Sequence, residues 1–278
     1  MKIIGHRLTG GPSPIVYKES PNHGGTLSPT LIVLHDTASG LTSEGPVSWL
    51  TDPASRVSAH LVVARNGSVT QLVPFDVVAW HAGKSSWKGR SGCNTFSVGI
   101  EIVNPGEMTL HASSKSAIGP DRKNYDLLQY NIRPAKDAHH PEAYWMDYTA
   151  EQIEAVTAIC LALRDSYPIT AITTHWEIAP GRKVDTNPFF PLEHVRNHLF
   201  GGHNEDGPPS VVTIVAASLR RWPSYADNII SELPVGLPLE PLRSGEFVNG
   251  GRAESWTLVR DRATLAEGWI NDAYLSHA

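Results

Sequence analysis

The chain has 278 residues, enough for one large domain and a smaller second one. It carries 28 acidic and 23 basic residues, a net charge of −5, which argues against a general role in binding nucleic acids or other polyanions. Its two cysteines are too few for a disulfide framework, and its apolar runs are too short to span a bilayer, so no membrane partner is expected.

The N-terminal segment is polar, and its first residues, Met1 to Arg7, lack the apolar core of a signal peptide. We therefore expect the chain to be made in the cytoplasm without a signal peptide. A target outside the membrane would then require another system to export or release it. Residues 1–27 are rich in Gly, Pro and polar side chains, and they predict an irregular arm.

A short helix and a β-hairpin are predicted in the first third of the chain. Residues 44–51 predict the helix. Two apolar runs, 57–65 and 68–74, flank Asn66-Gly67, a dipeptide that strongly favours a tight turn between two strands.

Two further runs predict central strands that carry polar side chains. Residues 31–35 are apolar up to His35. In residues 97–103, the alternation of a strand puts Glu101 and Gly99 on one face, and Gly99 leaves room there for a ligand. The opposite, apolar face consists of Val98, Ile100 and Ile102.

Residues 104–148 show no clear period, and we expect them to form a long loop inserted near the functional cleft. Thr149 then opens a helix, because Gln152 completes a capping box with it. The apolar stripe of this helix consists of Ile153, Val156, Cys160 and Leu163. Residues 169–175 predict a last strand, and a final helix begins at Pro191.

Residues 203–210 have the composition of a linker, so the chain is predicted to divide into a first domain, 1–202, and a second domain, 211–278. The second domain is predicted to be small and all-β. Its candidate strands are Val211–Ala216, Ile229–Leu233, Trp256–Arg260 and Trp269–Leu275.

The segment from His175 to Asp185 holds the residue types of a catalytic site in one short loop. Gly181 allows a tight bend, and Lys183 and Asp185 leave the same face of an extended backbone because they are two residues apart. With His35, which ends another predicted strand, His175 and Asp185 make three protein ligands. Catalytic zinc sites have this ligand count when the fourth position is left for water.

Five pieces of the sequence, occurring in order over residues 28–200, resemble the zinc-dependent N-acetylmuramoyl-L-alanine amidases of the type-2 family, which share a fold with peptidoglycan recognition proteins. The pieces are Leu34-His35-Asp36-Thr37, Val57-Ser58-Ala59-His60-Leu61, Trp80-His81-Ala82-Gly83, Ser97-Val98-Gly99-Ile100-Glu101-Ile102 and the segment His175 to Asp185.

The resemblance implies an α/β fold in which helices flank a mixed central β-sheet. It implies that His35, His175 and Asp185 hold Zn²⁺ at the strand ends, and that Glu101 and Lys183 are the catalytic carboxylate and the lysine that stabilises the transition state. Peptidoglycan, or a muropeptide derived from it, is then the substrate.

Two neighbouring residues, Trp80 and His81, are expected to bind substrate. Two alternatives stay open for them, since Trp80 could serve packing and His81 could orient the site. The ending Glu267 to Leu275 resembles bacterial SH3-like wall-binding domains, which predicts an SH3-like barrel for the second domain.

A wall-binding second domain favours a phage-type endolysin or an exported effector that degrades cell wall. The alternatives are a cytoplasmic amidase that recycles muropeptides and a non-catalytic peptidoglycan receptor on the same fold. Receptors of that kind lack a zinc ligand or a catalytic partner, whereas all five positions are filled here. The sequence is silent on oligomeric state, and a monomer is the default expectation.

Overall fold

The computed structural model describes residues 1–11, 15–200, 211–225, 227–249, 251–261, 264 and 266–277. The chain forms two compact units. The first consists of Met1–Arg133 and Tyr144–Leu199, and the second of Pro134–Ala143 and Phe200–Ala278. The predicted boundary at residue 202 and the predicted linker 203–210 lie outside the described residues.

A six-stranded sheet forms the centre of the first unit. In spatial order its strands are Ala171–Thr174, Leu31–Asp36, Ser97–Ile102, Leu61–Val63, Val69–Gln71 and Val16–Tyr17. The first four run parallel, the fourth and fifth form an antiparallel hairpin, and the last is parallel to the fifth. The sheet is therefore mixed, which confirms the predicted α/β fold with a central sheet.

One face of this sheet packs on the helix Ala150–Ser166. Thr149 caps the helix reciprocally with Gln152, as the sequence predicted. The alternating side chains of the two central strands meet the helix in one core cluster, which includes Ile32, Leu34, Val98, Ile100, Ile102, Val156, Ile159, Cys160 and Leu163. This packing leaves the alternate side chains of both strands free to face the other side of the sheet.

The other helices of the first unit are short. They are Glu44–Leu50, the single turn His175–Ile178, the 3₁₀ turn Cys93–Thr95 and the final helix Leu192–Phe200. The helices expected at 44–51 and from Pro191 are therefore confirmed. None of the helices among the described residues is both long and apolar enough to cross a membrane.

The prediction of an irregular arm over residues 1–27 is wrong. Lys2–Ile4 and Arg7–Thr9 pair as an antiparallel hairpin, whose turn has positive φ at both Gly5 (55°) and His6 (62°). His23–Thr26 pairs with Val77–Ala79. A smaller hairpin elsewhere joins Ser86–Trp87 to Arg90–Ser91.

The prediction of a loop over residues 104–148 is also wrong. The segment contains a five-stranded sheet, whose strands in spatial order are Asn124–Asp126, Ser116–Ile118, Glu107–Leu110, Ala143–Met146 and Ile132–Ala135. Each strand has three or four residues, too few to show a period of two in the sequence. Met108, Ala117 and Met146 belong to the small core beneath them.

The second unit is dominated by a seven-stranded antiparallel sheet. In chain order its strands are Val211–Thr213, Ala217–Arg220, Ile229–Leu233, Pro238–Asn249, Arg252–Arg260, Glu267–Asn271 and Leu275–His277. A 3₁₀ turn, Asp272–Tyr274, connects the last two strands. The sequence missed the strand at Pro238–Asn249, because two prolines and a glycine interrupt its pattern. An SH3-like barrel stays a prediction.

Candidate active site

Three neighbouring parallel strands bring the predicted site residues to one edge of the central sheet. In their register His35 lies beside Glu101, and Thr174, which precedes His175, lies beside Leu34. His175, His35 and Glu101 therefore follow one another across the carboxyl ends of three adjacent strands. Open α/β sheets bind ligands at this edge.

His35, His175 and Asp185 converge on one point. The distances are 2.9 Å between the two histidine Nδ1 atoms, 3.0 Å from His175 Nδ1 to Asp185 Oδ2, and 3.3 Å from His35 Nδ1 to Asp185 Oδ2. Zinc bonds of about 2.0–2.1 Å in a tetrahedron put neighbouring ligand atoms about 3.3 Å apart, so this triangle fits three of its corners. Among the described residues, the candidate ligand atoms of these three side chains all lie within 4.8 Å of one another.

The protonation of His35 and Asp185 also suits a metal. Burial lowers the pKa of His35 to about 4, and the neighbouring His175 adds to the shift. Burial opposes ionisation of Asp185, but the close imidazole rings of His175 and His35 outweigh it and lower the pKa of the carboxyl. Neutral imidazole beside ionised carboxylate is the state in which such groups coordinate a metal.

His175 is held by a short helical turn rather than by the plain loop that the sequence predicted. Glu177 accepts hydrogen bonds at Oε2 from the amide of Thr174 (3.3 Å), from Thr173 Oγ1 (2.5 Å) and from an Arg196 guanidinium nitrogen (2.7 Å). Arg196 lies on the final helix and also donates to the carbonyl of Ile172. The final helix therefore anchors the turn that presents His175.

Asp185 is fixed by its neighbours on both sides. The amide of Trp176 donates to the carbonyl of Asp185 at 2.8 Å. Two residues further on, the amide of Asn187 donates to Oδ2 of Asp36 at 2.9 Å, and Oδ1 of the same carboxyl accepts from Tyr148 at 2.6 Å. Because Asp36 follows His35 directly, this bond ties the segment that carries Asp185 to the strand that carries His35.

Arg182 fixes the part of the loop between His175 and Asp185. Its guanidinium donates to the carbonyls of Ala82 (2.9 Å) and Lys84 (2.8 Å). The carbonyl of Ala82 also lies 3.3 Å from Nε2 of His175, and a carbonyl can only accept. That contact keeps the proton of His175 on Nε2 and leaves Nδ1 free to bind a metal.

Glu101 and Lys183 line the same cleft as the three candidate ligands. Among the described residues, neither side chain has a hydrogen-bonding partner within 3.5 Å. Burial raises the pKa of Glu101 well above its usual range, with repulsion from Asp185 and Asp36 adding to the shift and Lys183 opposing it. A carboxyl group with a raised pKa and no partner is typical of a residue that exchanges a proton during catalysis.

The cleft is open and has a volume of about 240 Å³. Trp80 lines it with 37% of its surface exposed, and its amide is held by Ser58 Oγ. Trp49 also lines the cleft and is 60% exposed, although the sequence pattern did not single it out. The available signal was its position on the helix Glu44–Leu50, off the buried side that Val47 and Leu50 occupy.

The two other histidines of the resembling segments make contacts with the protein itself. His81 lines the cleft, but its Nδ1 lies 2.9 Å from Nε2 of His35. His60 is buried, accepts from the amide of Gly99 and contacts the carbonyl of Val77. The sequence suggested that Gly99 leaves room for a ligand. In the structure the ring of His81 fills that space, because a Cβ on Gly99 would lie 2.3 Å from Cγ of His81.

Comparisons with known proteins agree with this site. A family model described as N-acetylmuramoyl-L-alanine amidase (Amidase_2) matches residues 25–188. The chain is 33% identical over 181 residues to the 1,6-anhydro-N-acetylmuramyl-L-alanine amidase AmpD of Escherichia coli, covering 59% of this chain and 78% of that protein. It is 29% identical over 180 residues to the N-acetylmuramoyl-L-alanine amidase AmiD of the same organism, covering 62% and 53%.

Solved structures of such enzymes are also similar to the chain. A selenomethionine derivative of AmpD gives a TM-score of 0.49 at 28% identity, covering 72% of this chain and 99% of that one. AmiD from E. coli, in complex with anhydro-N-acetylmuramic acid-L-Ala-D-gamma-Glu-L-Lys, gives 0.46 at 27% identity, covering 62% and 57%. The family match over more than half of its length shows that this chain belongs to the Amidase_2 family of N-acetylmuramoyl-L-alanine amidases.

Proposed function

We propose that the chain is a zinc-dependent amidase that hydrolyses the bond between the lactyl group of N-acetylmuramic acid and the L-alanine of the stem peptide. The observation that carries this proposal is the convergence of His35, His175 and Asp185 in a cleft that Glu101 and Lys183 also line. Zinc held by the three ligands supplies positive charge that polarises the scissile carbonyl and lowers the pKa of a water molecule to about 7.

The two remaining residues perform the proton transfer and the charge stabilisation. A carboxylate oxygen of Glu101 accepts a proton from the attacking water, whose oxygen bonds to the carbonyl carbon. The ammonium of Lys183 stabilises the negative charge that develops on the carbonyl oxygen. When the C–N bond breaks, Glu101 returns the proton to the nitrogen of the leaving alanine, and its raised pKa favours holding the proton until then.

The bond that is cut can be identified from the products. Digestion of purified cell wall should release new L-alanine amino termini and produce no new reducing sugar ends. New reducing ends would identify a glycosidase, and amino termini of other residues would identify a peptidase acting within the stem. Either result would contradict the proposed reaction. The Glu101→Gln variant, assayed alongside, shows that the products come from this cleft.

Two candidate roles differ in the physical form of the substrate, which is either a small muropeptide fragment or intact wall. The E. coli AmpD relative is named for a 1,6-anhydro-N-acetylmuramyl-L-alanine substrate, which favours a recycling amidase that acts on small fragments. The all-β second unit favours the other role, an endolysin or exported effector whose SH3-like domain binds intact wall. We propose the second role, because a small fragment requires no wall anchor.

A chain that lacks the second domain tests whether this domain binds the wall. Truncation at residue 202 alone would leave part of the second unit in place. Pro134–Ala143 belongs to the second unit, where the amide of Lys136 donates to the carbonyl of Glu246 at 3.2 Å. The truncated chain should therefore also have residues 136–142, which join two adjacent strands, replaced by an Asn-Gly turn.

Truncation should leave turnover of soluble anhydro-muropeptides near that of the full chain. The activity of the truncated chain on intact wall should fall about 10²-fold or more, because it loses the tethering that raises the effective concentration of substrate. Pelleting of the full-length Glu101→Gln variant with wall fragments measures binding directly. Equal activity of both chains on intact wall would contradict the anchor and favour the recycling role.

A further inference from the structure

Both ring nitrogens of His81 are engaged by the protein. Nδ1 lies 2.9 Å from Nε2 of His35, and Nε2 lies 3.2 Å from the hydroxyl and 3.4 Å from the carbonyl oxygen of Ser97. The hydroxyl of Ser97 in turn lies 2.7 Å from the carbonyl oxygen of Cys93. His81 therefore lies inside a continuous chain of hydrogen bonds that begins at a backbone carbonyl and ends at His35.

The far end of this chain fixes the position of every proton in it. The carbonyl of Cys93 can only accept, so the hydroxyl of Ser97 donates to it and uses a lone pair for His81. Nε2 of His81 then carries the proton, which leaves Nδ1 as an acceptor. His35 must donate from Nε2, and the lone pair of its Nδ1 faces His175 and Asp185, as metal binding requires.

The backbone of Gly99 packs against the His81 ring and restricts the ring to one position. A Cβ on Gly99 would lie 2.3 Å from Cγ and 2.6 Å from Nδ1 of the ring, so the ring lies directly against the glycine. The amide of Gly99 donates to Nδ1 of His60 at 3.0 Å, and Nε2 of His60 donates to the carbonyl of Val77 at 3.0 Å. Buried contacts therefore hold this part of the strand in place.

From this arrangement we infer that His81 is a positioning residue for the metal centre and not a contact for substrate. It holds the neutral tautomer and the ring orientation in which His35 presents Nδ1 to the metal. Its role rests on the proposed zinc centre. Groups that orient a ligating histidine in this way commonly change metal affinity about 10- to 100-fold when they are removed.

A pair of substitutions of equal shape separates this role from packing. Asn places its amide oxygen where Nδ1 of His81 lies, so His81→Asn keeps the acceptor for His35. His81→Leu has the same branched shape without an acceptor. The measurement is the zinc dissociation constant of the full chain, obtained by competition with a chelator, and the thermal unfolding midpoint of the metal-free protein checks folding.

His81→Leu should bind zinc about 10- to 100-fold more weakly than the wild type, and His81→Asn should stay within a few-fold of it. Equal weakening of both variants, or no weakening of either, would overturn the inference. Should His81→Leu fail to fold, His81→Gln takes its place, because its amide extends toward Ser97 and it should also bind weakly. A wild-type chain that binds no zinc would refute the metal centre itself, which is a separate result.

Discussion

The floor of the cleft and its rim differ in how firmly their side chains are held. The floor consists of His35, His81, His175 and Asp185, and each of these side chains has a ring nitrogen or carboxylate oxygen within 3.0 Å of a neighbour in the protein. The rim, defined by Trp49 and Trp80, presents exposed aromatic surface to solvent. The difference indicates that the floor suits a ligand that stays, such as a metal ion, while the rim suits a substrate that arrives and leaves.

The largest effect is expected when a residue of the floor loses its ligand atom. His35→Ala should abolish zinc binding and activity together, because two ligands hold zinc far more weakly than three and the half-buried carboxylate of Asp185 loses a partner. Zinc content by elemental analysis and turnover of muropeptide are the measurements. The exposed His23 provides the control, since His23→Ala should change neither.

Restored activity of His35→Ala at moderate zinc concentrations would show weakened binding rather than a lost site. Full activity of the wild-type chain after chelation would contradict the zinc assignment altogether.

Substitutions at Glu101 and Lys183 should separate chemistry from metal binding. Both side chains line the cleft, and neither belongs to the ligand set. Glu101→Gln and Lys183→Ala should keep near-normal zinc content and lose about 10²-fold or more in turnover, because each removes a group that acts in the transition state. Lys84→Ala, at an exposed lysine outside the cleft lining, is the matched control. A near-normal rate for Glu101→Gln would mean that another base accepts the proton.

Much of the cleft could be predicted because His35, Glu101 and His175 lie at the ends of apolar runs that form central strands. His35 and Glu101 lie side by side since their strands are neighbours in a parallel pair, and the periodicity of each strand could be read separately. The order of the strands could not be read from periodicity. It brings His175 beside His35 across 140 residues of sequence.

The supporting contacts were beyond sequence reasoning for a different reason. Asp36, Tyr148 and Asn187 form one buried hydrogen-bonded group from three distant segments, and no local pattern predicts that they meet. His81 shows the same limit: its residue type suggested a functional histidine, but only the position of its ring against Gly99 distinguishes support of His35 from contact with substrate.

The rim should respond to substitution more mildly than the floor. Trp49→Ala should raise KM for muropeptides by about tenfold at most and leave kcat nearly unchanged, since an aromatic contact contributes about 0.5–1.5 kcal/mol beyond its buried area. Leu128→Ala, which is 90% exposed and outside the cleft lining, is the control. A fall in kcat with unchanged KM would place Trp49 among the groups that act in the transition state and would erase the distinction between floor and rim.

The smallest effect is expected on stability, where Glu101→Gln should stabilise the fold although it lowers activity. Burial raises the pKa of Glu101 above that of the unfolded chain, so folding favours the protonated form of this carboxyl group. Its contribution to stability is complete below the unfolded pKa and is lost as pH rises through the folded pKa.

Gln cannot ionise, so metal-free Glu101→Gln should unfold at a higher urea concentration than the metal-free wild type at neutral pH. The difference should vanish as pH falls below the usual range of a glutamate. A variant that is less stable than the wild type at neutral pH would show that Glu101 is ionised and paired in the metal-free protein, and the cleft would then lack a residue whose protonation is poised for catalysis.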